Sequence, residues 1–85
     1  ENPFLLVAFP NPSDGNFTIS FTADRSEKYT LNLYNTLGQI VISKEVANQS
    51  GNYLIPVSIK DPAAGMYTIV LTNGTTETVK KILLR

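Results

Sequence analysis

The chain has 85 residues, no cysteine and no histidine, and its seven basic residues balance seven acidic ones. That balance gives no overall field to draw it to nucleic acid or an anionic membrane, and the missing side chains exclude Ser–His and Cys–His nucleophile pairs and thiolate or imidazole metal sites. A single domain is expected over residues 1–85, burying roughly 60% of its unfolded surface with no disulfide staples.

An apolar run over residues 4–9 predicts the first strand and is far too short to span a bilayer. Pro10 and Pro12 lack backbone donors and fix φ, so a ladder stops there, and Ser13-Asp14-Gly15-Asn16 reads as a turn with Gly15 at positive φ. Phe17, Ile19 and Phe21 alternate with Thr18 and Ser20, which predicts a half-buried strand over 16–22. Residues 24–28 read as a solvated charged loop. Asp24 and Glu27 are the closest acidic pair, but Arg25 and Lys28 lie among them, so a turn is favoured over general acid–base work.

Tyr29, Leu31 and Leu33 set the buried face of a strand over 28–35, with Tyr34 on the opposite side, packed at a sheet end or exposed for recognition. Thr36-Leu37-Gly38-Gln39 predicts a short hairpin, with Gly38 left-handed, into a strand over 39–46. Tyr53, Ile55, Val57 and Ile59 mark a strand over 51–59, and the connection over 60–65 has room for one helical turn. Tyr67, Ile69 and Leu71 mark a strand over 66–73, with Tyr67 read as a core or corner tyrosine. Asn73-Gly74 predicts a type I′ hairpin turn into a last strand over 76–84. No apolar set keeps helical spacing over three turns. The expected fold is all-β, a seven-stranded antiparallel immunoglobulin-like β-sandwich with Greek-key connections.

Few residues offer chemistry. Asn11, Asp14 and Asn16 place oxygen ligands in one turn, so calcium is a candidate, but a single formal charge makes a weak site and Asx-turn bonding explains the same residues. Asn16-Phe17-Thr18, Asn48-Gln49-Ser50 and Asn73-Gly74-Thr75 match the glycosylation triplet, and the hairpin turn already accounts for Asn73. Lys80, Lys81 and Arg85 are too few for a phosphate-tracking surface. Their strand can instead pair with an edge on another protein, or it is simply an edge strand guarded by its lysines. No enzyme, cofactor or metal is expected.

Four blocks stand in fixed order: Phe9-Pro10-Asn11-Pro12 with Gly15, Leu37-Gly38-Gln39, Gly65-Met66-Tyr67, and Lys80-Lys81-Ile82-Leu83-Leu84-Arg85. Together they resemble the C-terminal sorting domain, type A, of the type IX (Por) secretion system of Bacteroidetes. Phe9 and Met66 are tolerable apolar departures, from tyrosine and from valine or isoleucine respectively.

The resemblance implies an address label, not a catalyst. The folded domain would be recognised by the type IX outer-membrane translocon and its shuttle protein, with no nucleic-acid binding and no membrane insertion. A sortase-like cysteine protease can then remove it from the upstream cargo. Localisation would be periplasmic in transit, then cell surface or medium. Glu1 opens on neither a basic n-region nor an apolar h-region, so a piece from the end of a longer secreted precursor is expected.

By resemblance, Lys80, Lys81, Ile82, Leu83, Leu84 and Arg85, with Pro10, Asn11 and Pro12, are the expected recognition residues. Gly15, Leu37, Gly38, Gln39, Gly65, Tyr67, Asn73 and Gly74 are expected to shape the backbone. The competing readings are a carbohydrate-binding or adhesion module, which would want an exposed aromatic platform, and a structural spacer of a surface protein.

Overall fold

The computed structural model describes residues 5–23, 28–46 and 51–85. Residues 24–27 of the expected charged loop and the Asn48-Gln49-Ser50 triplet lie outside them.

Period-two apolar patterning produces seven strands: β1 (Val7–Phe9), β2 (Asn16–Ala23), β3 (Tyr29–Tyr34), β4 (Ile40–Val46), β5 (Gly51–Ser58), β6 (Gly65–Thr72) and β7 (Glu77–Leu84). They form two antiparallel sheets, ordered β1-β2-β5 and β4-β3-β6-β7. The chain leaves β4 for the first sheet and returns to lay β6 beside β3, as in an immunoglobulin-like sandwich.

Every inward face read from the sequence is inward here. Phe17, Ile19 and Phe21 on β2 meet Tyr29, Leu31 and Leu33 on β3 across the sandwich, with Ile55, Val57, Tyr67, Ile69, Leu71, Ile82 and Leu84 completing one core. Phe21 stacks on Tyr53 at 5.0 Å and tilts against Tyr29 at 5.6 Å between ring centroids. Each fully buried aliphatic side chain contributes about 2 kcal/mol by leaving water.

Three local expectations are corrected. Among the described residues the first strand is confined to Val7–Phe9; Leu5 before it has φ 49°, outside extended geometry, although Leu6 is fully buried. Residues 60–64 contain no helical turn, and Asp61 at φ 50° interrupts any right-handed winding there. The Asn73-Gly74 turn is not type I′, because Gly74 alone has positive φ and the loop runs four residues between the paired Thr72 and Glu77. Asn73 acts through its side chain: Oδ1 accepts from the Thr75 and Thr76 amides at 3.0 and 2.8 Å. That satisfies loop donors without a second left-handed residue.

Candidate functional site

The four sequence blocks meet at one end of the sandwich, around the last residues of β7. After β1 the chain crosses to the outer edge of β7 and runs parallel to it, with Ser13 bridging Leu84. The Ser13 amide donates to Leu83 O at 2.9 Å, and the Arg85 amide donates to Ser13 O at 3.0 Å. Between the two prolines, the Asn11 side chain stands in for a strand residue. Its Oδ1 accepts from the Leu83 amide at 3.0 Å, and its Nδ2 reaches Lys81 O at 3.4 Å. An edge strand otherwise leaves such groups unpaired, so the Asn11–Ser13 strap seals β7 from Lys81 to Arg85.

The strap is anchored on its far side. Ser13 is buried, its hydroxyl accepting from the Gly15 amide at 3.1 Å and donating to Asn16 O at 3.0 Å. Gly15 has φ 114°, and a Cβ there would lie 2.9 Å from both Ile59 O and Pro62 Cγ. Only glycine fits, which explains its place in the first block. Asp14 Oδ1 accepts from the Asn16 amide at 3.1 Å, an Asx turn. The proposed calcium oxygens are thus engaged within the protein, Asn16 Oδ1 by the Ser58 hydroxyl at 2.7 Å. Among the described residues no cluster of three acidic, histidine or cysteine side chains gathers that could hold a metal.

The other blocks close on the same end. Gly65 pairs with Leu84 across β6 and β7, and a Cβ on Gly65, at φ 142°, would meet Thr36 Cγ2 at 2.5 Å. Thr36 opens the hairpin of the second block. Asn35 organises that hairpin, its Oδ1 accepting from the Leu37 and Gln39 amides at 2.9 and 3.0 Å. Gly38 is left-handed as expected, and Leu37 projects from the tip, 80% exposed. Tyr67 is a buried corner tyrosine whose hydroxyl donates to Ala63 O at 2.8 Å.

The terminal block divides by alternation. Ile82 and Leu84 are fully buried and belong to the core, whereas Lys80, Lys81 and Arg85 are exposed and Leu83 is half-buried. Pro10, Asn11 and Pro12 are exposed beside them. Lys80 pairs with the fully buried Ile69, so it occupies an inward-facing position on an edge strand. An inward lysine there blocks sheet-to-sheet association, the guarding role weighed for it above.

Sequence reading missed Asn35 and the partnership of Asn11 with β7. The second spans more than seventy residues and leaves no local signal. An open cleft of about 700 Å³ borders the first block at Phe9 and Pro10 and continues over Thr18 and Pro56, and no titratable group lines it.

A protein-family model, described as the secretion system C-terminal sorting domain, matches residues 7–85. Among curated proteins none matches the chain.

Proposed function

The chain belongs to the secretion system C-terminal sorting domain family, and from that premise we propose how this signal is read. The family makes it a type IX sorting signal that sends its bearer toward the cell surface or medium. In the proposed reading the translocon and its shuttle protein recognise the domain already folded. The cargo lies upstream in a longer precursor that reaches them through the periplasm, and a sortase-like cysteine protease then removes the signal.

One observation supports recognition of a folded signal. The four blocks, scattered from residue 9 to residue 85, are brought together by the fold: by the strap on β7, by the pairing of Gly65, Met66 and Tyr67 with Leu84, Leu83 and Ile82, and by the Gly65–Thr36 approach. An unfolded tail would present the terminal residues without Asn11 beside them. A folded one offers a fixed surface and avoids the ordering cost of binding. Ile82 and Leu84 then act by holding the strand, while Lys81, Leu83, Arg85 and the Pro10–Pro12 turn face the reader.

The test is export of a fluorescent protein carrying an inner-membrane signal peptide and followed by this chain. The host is a Bacteroidetes strain with or without a working type IX translocon. Fluorescence at the surface or in the medium of the intact strain alone is the expected outcome. Periplasmic retention in both strains, with the domain folded, overturns the reading.

A further inference from the structure

Exposed apolar side chains gather on both outer faces of the sandwich, and the faces differ in charge. On the three-stranded sheet Val7, Phe9 and Leu54 are exposed, and β1, β2 and β5 contain no charged residue. On the four-stranded sheet the register lays out rows. Glu45 and Glu77 end the row through Thr30 and Thr72. Next come Ser43–Asn32–Val70–Val79, then Ile40–Tyr34–Thr68–Lys81, then Met66–Leu83. The face is acidic at one end, apolar in the middle and cationic at the other, where Arg85 follows Lys81 and Leu83.

The apolar part is open to solvent. Ile40 is 56% exposed, Met66 48% and Val79 51%. Sequence blocks supply this patch by alternation. Met66 stands between Gly65 and the buried Tyr67, and Leu83 between the buried Ile82 and Leu84. Tyr34 and Ile40 flank the Leu37-Gly38-Gln39 hairpin and pair with each other. The residues that turn inward hold the blocks together, and their neighbours turn outward onto one surface.

We propose that this outer face of the four-stranded sheet is the docking surface for the export machinery, resting on the sorting reading above. The occupant is a protein surface with an apolar centre and carboxylates set against Lys81 and Arg85. Charge selects it: the rows from Ser43 to Leu83 hold no acid, so an acidic rim there meets attraction, while at the far row it meets Glu77 and a Glu45 paired with Lys28 at 3.6 Å. That asymmetry fixes the orientation of docking as well as its place. The apolar middle supplies the area that leaves water.

The test uses the same reporter fusion with variants on each face, each checked for a cooperative melt. Met66→Thr and Lys81→Glu should each lower translocon-dependent export about tenfold, the effect of losing one good interface contact. Lys81→Arg, which keeps the charge, should lose less than Lys81→Glu, and Leu54→Thr should keep export, Leu54 being 68% exposed on the opposite sheet. Unchanged export with Met66→Thr and Lys81→Glu overturns the proposal, as does an equal loss with Leu54→Thr. Should Met66→Thr fail to fold, the Lys81→Glu and Lys81→Arg pair decides alone.

Dimerisation of the isolated chain, or binding to protein-free anionic vesicles, that Lys81→Glu abolishes would assign the face to a second copy or to lipid and overturn it too. If the unmodified fusion is not exported in the intact strain, the sorting reading itself fails and the docking face goes with it.

Discussion

The two edges of the four-stranded sheet solve one problem in different ways. Both β4 and β7 carry an inward-facing lysine, Lys44 opposite Leu31 and Lys80 opposite Ile69. Beyond that they part. The outer edge of β7 is sealed from Lys81 to Arg85 by Asn11 and Ser13, whereas β4 has no partner on its outer side among the described residues. Guarding an edge takes one lysine; sealing it takes a dedicated segment. The segment is spent on the strand that carries the terminal block, so the strap fixes the geometry of a surface as well as preventing aggregation.

The largest test of that contrast is in the core. Ile82→Ala on β7 removes a fully buried side chain and should cost about 3 kcal/mol, whereas Ile42→Ala on β4, only partly buried, should cost clearly less in a urea melt. Next is the anchor of the strap. Gly15→Ala forces a Cβ against the Ile59 carbonyl at positive φ and should cost about 2 kcal/mol. Hydrogen exchange should then show the Leu83 and Arg85 amides losing protection before those of β3.

Asn11→Ala isolates the seal itself. It removes one acceptor and one donor at a solvent-exposed edge, so about 1 kcal/mol is expected, with faster exchange at the Leu83 amide. An unchanged rate at Leu83 would mean that the side chain adds nothing beyond the Ser13 bridge. On the other edge, Glu45→Gln breaks only the exposed 3.6 Å pair with Lys28 and should shift stability by less than about 0.5 kcal/mol.

How much of this was legible in the sequence depends on range. Strands 2 to 7 sit within a residue or so of their expected bounds, because alternation is local and each turns one face toward the core, β4 through the partly buried Ile42 and Val46. The division of the terminal block was equally legible: Ile82 and Leu84 share the phase of the buried Thr78, and Lys81 and Leu83 do not. Grouping all six residues as recognition residues passed over that phase. The turn at Asn73 was misread because the dipeptide rule concerns backbone angles, and here the side chain takes the donors. Nothing in Pro-Asn-Pro says which strand it will cover, since that pairing is settled only when the two sheets close.

The strap also has a mechanical consequence. It runs parallel to β7, so a force drawing the chain upstream of Asn11 away from Arg85 acts along both segments in opposite directions. The bonds from Asn11 and Ser13 to Lys81, Leu83 and Arg85 are then loaded together in shear and cannot be peeled one at a time. Under such a load the rate of rupture, not the equilibrium stability, sets how long the fold lasts. A domain tied in this way keeps the segment from Lys81 to Arg85 in register while it is pulled from its upstream end.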